Sequence, residues 1–291
     1  MSPSAIRPVH AQQASPLLAI PPVGWLLWFL LIPLSIVVVY SFAHRGTYGG
    51  VDLRFSADNY LRVADWIYFR VLWQSLKLAT LTAVSCLAVG YPMAFVMATA
   101  SRRWRTALLI LVVIPFWTNF VVRTYAIKAA LAENGPVNHW AMSVGVISEP
   151  FAFSGTQFAI WLGMLTNYLP FMVLPLYATL EKLDSSLLEA SADLGARPLT
   201  AFLTITLPLS LPGIVAGCLL VFIPSIGEFV IPDLLGGSET LMIGRTLWNE
   251  FFNNRDWPLS SAVAVVLLLV LILPIVFFQR QQQNEREADR K

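Results

Sequence analysis

Apolar residues fall into six long runs separated by polar, charged or glycine- and proline-rich stretches. The runs cover about Leu17–Phe42, Val71–Ala100, Thr106 past Arg123 towards Lys128, Thr156–Leu180, Leu209–Leu235 and Leu259–Phe278. At 1.5 Å per residue, each is long enough to cross a hydrocarbon core of ~30 Å as a helix. Pro21-Pro22 and Pro33 predict a late start and a kink in the first run. The fifth is studded with Pro212, Gly213, Gly217, Pro224 and Gly227. The pattern predicts an all-α polytopic membrane protein. Six transmembrane helices fill residues 17–280, between a polar tail at 1–16 and a charged tail at 281–291.

The polar stretches differ in character. Residues 43–70 mix Arg45, Asp52, Arg54, Asp58, Arg62, Asp65 and Arg70 with Tyr60, Trp66 and Tyr68. Phe55 to Tyr60 suits a short helix at the membrane surface, with aromatic rings at the interface. Acids nearly balance bases there, which argues against a nucleic-acid surface. Lys77 lies one or two turns inside the second run and can snorkel outwards. A loop of about 25 residues holds Glu133 and Glu149 but no Lys or Arg, and residues 236–257 form a further polar loop.

Between the fourth and fifth runs, Leu183 to Ile214 reads as two short helices joined by a turn. Ser186 and Glu189 have capping-box spacing. Leu183, Leu187, Ala190 and Leu194 share one helical face. Gly195 is placed to stop the first helix in the left-handed conformation. Pro198 suits the first turn of the second helix, which Leu207-Pro208 ends before the next span begins.

Composition points the same way. The chain is 57% hydrophobic and 12% charged, against about a quarter charged in a soluble domain. A net charge of +2 says little about partners. Cys86 and Cys218 both sit in apolar runs, so a disulfide framework is not expected. The three histidines are not spaced for metal, and no phosphate-cradling glycine loop is present, so ATP is not bound by that motif. No nucleophile is spaced with a base as in an intramembrane hydrolase. The N-terminal residues do not read as a cleaved signal peptide. With the N-terminus inside, ten Lys or Arg face the cytoplasm and six face outwards. That bias favours both termini in the cytoplasm and puts the Glu189 segment there.

The run Glu189-Ala190-Ser191-Ala192-Asp193-Leu194-Gly195-Ala196, with Phe202, Leu207-Pro208 and Pro212-Gly213, resembles the Glu-Ala-Ala loop of ABC-importer permeases. Ser191 stands where the family often has alanine. Further blocks are similar to the first permease of polyamine importers: Ile114 to Asn119, Arg123 to Ala126, Asn134 to Asn138, Phe222 to Gly237, and Met242 to Arg245 leading to Trp257-Pro258. The latter two blocks are most like the putrescine branch. The resemblance covers nearly the whole chain after residue 20. It implies a type I importer-permease fold in a bacterial inner membrane and a cytoplasmic coupling loop at 181–207. Within that loop Glu189, Ala190, Asp193, Leu194 and Gly195 carry the docking to an ATPase. The implied partners are a second homologous permease, two ATPase subunits and a periplasmic polyamine-binding protein. ATP and magnesium belong to the ATPase, and this chain carries no cofactor.

Glu228 is the carboxylate well inside a span, beside Pro224 and Gly227. A buried acid on a transmembrane helix costs about 2.5–3.5 kcal/mol on insertion scales and usually faces a cavity or a partner. A helix broken at Gly227 opens carbonyls to a pathway. With Trp117, Tyr168 and Phe229, such a site suits an alkyl diammonium. The alternative for Glu228 is an ion pair with Arg123 that fixes two helices. The competing functions are a permease for sulfate, molybdate or ferric ion, and an ion-coupled secondary transporter.

Overall fold

The computed structural model describes residues 16–47, 49–237 and 239–288. The first apolar run forms α1 (Pro16–Ser41). A two-residue hairpin, β1 (His44–Arg45) and β2 (Val51–Asp52), leads to α2 (Asp58–Val63). The α2 helix is fixed to the end of α1: Asn59 Nδ2 donates to the carbonyls of Ser41 and Ala43 at 3.1 and 2.7 Å, and the Tyr60 and Ser41 hydroxyls are 2.7 Å apart. Then come α3 (Trp66–Thr99), α4 (Arg102–Trp117), α5 (Phe120–Ala130), α6 (Pro136–Ser143) and α7 (Gln157–Leu180). The polar segment after α7 holds α8 (Ser185–Asp193) and α9 (Pro198–Ala201). The chain ends in α10 (Leu207–Ile226), α11 (Val230–Leu235), α12 (Ile243–Trp248) and α13 (Trp257–Ala288).

Five helices are long and apolar enough to cross a membrane, and the bent pair α4 and α5 supplies a sixth span if taken as one. The centre is formed by α3, α7 and α10, which pack on one another along their lengths. Their approach is close because α10 presents glycines to α7. A Cβ on Gly217 would lie 2.7 Å from the Met172 sulfur, and one on Gly213 would lie 2.5 Å from the Thr179 hydroxyl. Met164, Met172, Val173 and Leu176 of α7 are fully buried in this core. By contrast α1 lies along α13, and no residue of its apolar stretch is buried.

Four boundaries depart from the sequence pattern. The third span is not continuous: α4 and α5 meet at a bend of 92° around Thr118-Asn119. Asn119 caps α5 by accepting the Val121 amide at 2.8 Å, and Pro115 removes a donor just before the break. The fifth span ends at Ile226 rather than Leu235. Pro208 does not end a helix. Residues 198–226 run as one helical segment in which Phe202–Thr206 form a π turn, the Leu207 amide bonding the Phe202 carbonyl. The wide turn accommodates the carbonyl that a proline four residues on leaves without a donor. The predicted charged tail from 281 is helical as far as Ala288; the end of that tail and the N-terminal tail up to residue 15 lie outside the described residues.

Candidate functional site: the coupling loop and the Glu228 centre

The loop after α7 is built from short-range hydrogen bonds. Asp184, not Ser186, is the N-cap of α8: its carboxylate accepts the Ser186 amide at 3.0 Å. A capping box from Ser186 is displaced because the aspartate two residues earlier already starts the helix. The Ser186 amide and hydroxyl hold the Asp184 carboxyl below its ordinary range. At the other end, Gly195 has φ +79°. The Gly195 amide bonds the Ala192 carbonyl at 2.9 Å and the Ala196 amide bonds the Ser191 carbonyl at 3.0 Å. These two bonds are the paired closure of a Schellman stop.

The faces of α8 then sort clearly. Ser191 is turned inwards and Leu188 is half-buried. Leu187, Glu189, Ala190 and Asp193 are exposed, and Leu194 is 88% exposed. Leu183 departs from the expected face and packs on the main core. Leu199 and Leu203 extend the exposed apolar surface onto the following helix. The loop is tied to the membrane domain by Arg105 at the start of α4, which bonds the Glu181 carboxylate at 2.6 Å and the Ala98 carbonyl at 2.8 Å. Sequence reasoning missed this tie, since Arg105 reads as one of three arginines in a basic turn.

The second candidate lies where α10 stops. Glu228 is buried, at 8% exposure. Its Oε1 accepts the amides of Phe229 and Val230 at 3.0 and 2.9 Å and, more distantly, that of Ile231 at 3.4 Å. The carboxylate therefore satisfies the free amides at the start of α11. The Tyr168 hydroxyl on α7 donates to Oε2. Phe229 stacks on Trp248 of α12 with ring centroids 4.4 Å apart. Beside Tyr168, Asn167 is 3% exposed. Its Nδ2 donates to the Gly163 carbonyl at 2.8 Å, and its Oδ1 has no partner among the described residues.

The structure brings Glu228, Tyr168 and Phe229 together but leaves Trp117 apart, 89% exposed at the end of α4. The Arg123–Glu228 pair is not formed. Arg123 donates instead to the carbonyls of Pro115 and Thr118 at the α4–α5 bend; the Pro115 carbonyl also accepts the Thr118 amide and hydroxyl. Nor does the break open carbonyls to a pathway. Gly244 of α12 closes over those of Gly227 and Glu228, where a Cβ would lie 2.3 and 2.6 Å from the two oxygens. What the break presents to Glu228 is amide donors.

With this geometry in place, similarity decides the family. Residues 90–284 match the model of the binding-protein-dependent transport system inner membrane component. The chain belongs to this family. The matched residues include both the exposed α8 helix and the Glu228 centre of this permease. It is 43% identical over 243 residues to the spermidine/putrescine transport system permease protein PotB of Salmonella typhimurium (strain SL1344), covering 84% of this chain and 85% of that one. Identity to PotB of Escherichia coli (strain K12) is 42%, over 84% of this chain and 88% of that one. Among solved structures, a bacterial alginate ABC transporter in complex with alginate pentasaccharide-bound periplasmic protein aligns with a TM-score of 0.69 at 16% identity. That alignment covers 90% of this chain and 91% of the other. The fold is thus that of an ABC-importer permease, and the family places the chain in the inner membrane.

Trp248 and Gly244 are members of the site that sequence reasoning left without a role, and Asn167 is the buried polar neighbour of Tyr168 in α7. Trp248 and Gly244 stand in blocks that carry the resemblance, but nothing in a linear pattern places α12 under the broken end of α10. The signal for Asn167 is its place in an apolar run next to Tyr168.

Proposed function

We propose that this permease forms half of the pathway of an ATP-driven importer that moves polyamines, putrescine among them, into the cytoplasm. The observation that carries the reading is identity of 42–43% over 84% of the chain to permeases named for spermidine and putrescine. The chemistry of the Glu228 centre supports a cation: it offers a buried carboxylate and aromatic faces on Tyr168 and Phe229. An oxyanion such as sulfate or molybdate would be repelled by the same carboxylate.

In this reading Glu228 has two separate duties. Oε1 holds the start of α11 and stays occupied. Oε2 is the atom that meets an ammonium group when Tyr168 withdraws its hydroxyl. That exchange needs α7 to move against the end of α10, which links substrate passage to a conformational change. Weak binding follows, because the ammonium must displace a hydrogen bond already made.

The other half of the pathway comes from a second homologous permease. The exposed side of α8, with Leu187, Ala190 and Leu194 as apolar contacts and Glu189 and Asp193 as orienting charges, docks into a groove of an ATPase subunit. Gly195 sets the angle between α8 and α9. Because residues 198–226 form one helical segment, a displacement of the docked helix passes along it into α10 as a lever. Both termini lie in the cytoplasm, and a periplasmic binding protein delivers the substrate at the opposite face. Reconstituting the chain with its neighbouring-frame permease, ATPase and binding protein tests the reading: ATP-dependent uptake of labelled putrescine is expected. Uptake by this chain without ATPase, as in an ion-coupled transporter, overturns it.

A further inference from the structure

The first turns of α3 and the start of α7 enclose a groove of about 530 Å³ that the transport reading leaves unused. Arg70, Gln74 and Lys77 face it from α3 at helical spacing, and Gln157 faces it from α7. Its walls are apolar at one end, Leu78 and Leu81, and aromatic at the other, Trp66, Phe69 and Trp73. Arg70 and Lys77 make no ion pair or side-chain hydrogen bond among the described residues; the Lys77 ammonium lies 5.6 Å from the centre of the Trp73 ring.

Depth places this groove. Lys77 lies 22 residues before Thr99, the last residue of α3. At 1.5 Å per residue that is ~33 Å, against a hydrocarbon core of ~30 Å. With the basic turn that follows Thr99 at one membrane surface, the Lys77 ammonium is at headgroup level on the other. Arg70 is a further ~10 Å out. Trp73, more than half exposed and ~6 Å outside Lys77, belongs at that level as an interfacial aromatic. Leu78 and Leu81 lie just below, at the depth of the first acyl carbons.

We propose that this groove binds an anionic phospholipid of the leaflet in which α3 begins. That is the outer leaflet of the inner membrane in the orientation given above. Lys77 and Arg70 meet the phosphate, Gln74 and Gln157 bond the glycerol or headgroup oxygens, and an acyl chain runs over Leu78 and Leu81. Two unpaired cations do not suit a polyamine, so the groove is not a branch of the substrate path. The lipid fastens the start of α3 to that of α7, the two helices that also carry the core.

The test uses the assembled importer in nanodiscs of phosphatidylcholine containing phosphatidylglycerol, with native mass spectrometry to count retained lipids. Each basic group near an anionic surface contributes about fivefold in preference. The double variant R70Q/K77Q is expected to hold phosphatidylglycerol roughly 25-fold less well than wild type. R70K/K77R, which keeps both charges, is expected to stay within about twofold. Unchanged retention by R70Q/K77Q overturns the proposal. So does a variant complex that, in discs of phosphatidylcholine alone, has lost association with the loaded binding protein; that result assigns the groove to an acidic protein surface.

Discussion

The Tyr168 hydroxyl on α7 donates to the carboxylate of Glu228 at the broken end of α10. This single contact joins the best-buried span to the point where the fifth span stops. It is also where the two duties of Glu228 separate. Glu228→Gln retains a carbonyl oxygen for the α11 amides but removes the charge. It is expected to cut polyamine uptake at least tenfold, a loss of about 1.4 kcal/mol, while the complex keeps its detergent stability. Tyr168→Phe frees Oε2 and is expected to lower stability by about 1–3 kcal/mol, as for a buried acceptor left without its donor, with uptake retained. Uptake and melting temperature for both variants check this pair. Loss of stability without loss of uptake in Glu228→Gln reduces the residue to a helix cap.

The positions of the spans were legible in the chain because a long apolar run has few other uses. The α8 helix was legible for a different reason: its stop calls for a residue that accepts positive φ, and Gly195 sits in the left-handed conformation the pattern requires. The partners of Glu228 were not legible. Nothing in a linear reading keeps Arg123 from Glu228, but the 92° bend at Thr118-Asn119 sets the Pro115 and Thr118 carbonyls against its guanidinium. The carboxylate then finds its donors in the adjacent backbone, which carries no sequence signal. The same holds for the π turn at Phe202–Thr206, set by how Pro208 is absorbed rather than by any apolar period.

Gly195 has open space where a side chain would be, so its constraint is backbone conformation alone. Gly195→Val is expected to strain the elbow and to weaken assembly with the ATPase or stimulated ATP hydrolysis, while insertion is normal. Gly195→Asn, which tolerates the left-handed region, is expected to retain most coupling. ATPase stimulation across the two variants is the measurement.

Gly244 presents the opposite case. It has no unusual backbone conformation, but a methyl there would lie 2.3 Å from the Gly227 carbonyl oxygen. Gly244→Ala is expected to push α12 off the end of α10 and destabilise the chain by about 1–3 kcal/mol. The shift is read in the melting temperature of the purified complex. Loss of the Phe229–Trp248 stack accompanies it, visible in tryptophan fluorescence.

The anchor of the loop after α7 is expected to weaken on the acid side. The Glu181 carboxyl is held below its ordinary value of 4.5, first by the Tyr177 hydroxyl and then by Arg105. A folded value below the unfolded one means that this contribution to stability is whole above pH 4.5 and is lost as pH falls through the lower folded value. Exchange protection in residues 181–195, taken relative to the intrinsic rate at each pH, is therefore expected to fall on acidification below that range, and Glu181→Gln to remove the part of the response that belongs to this group. Protection that falls between pH 8 and 6 instead assigns the anchor to another group.

The most direct test is uptake by proteoliposomes containing this chain, a second permease, the ATPase pair and a loaded polyamine-binding protein. Accumulation of labelled putrescine is expected only with ATP on the face opposite the binding protein, and unlabelled spermidine but not molybdate is expected to compete. Accumulation without ATP, or ATPase stimulation by an oxyanion and not by polyamine, contradicts the account.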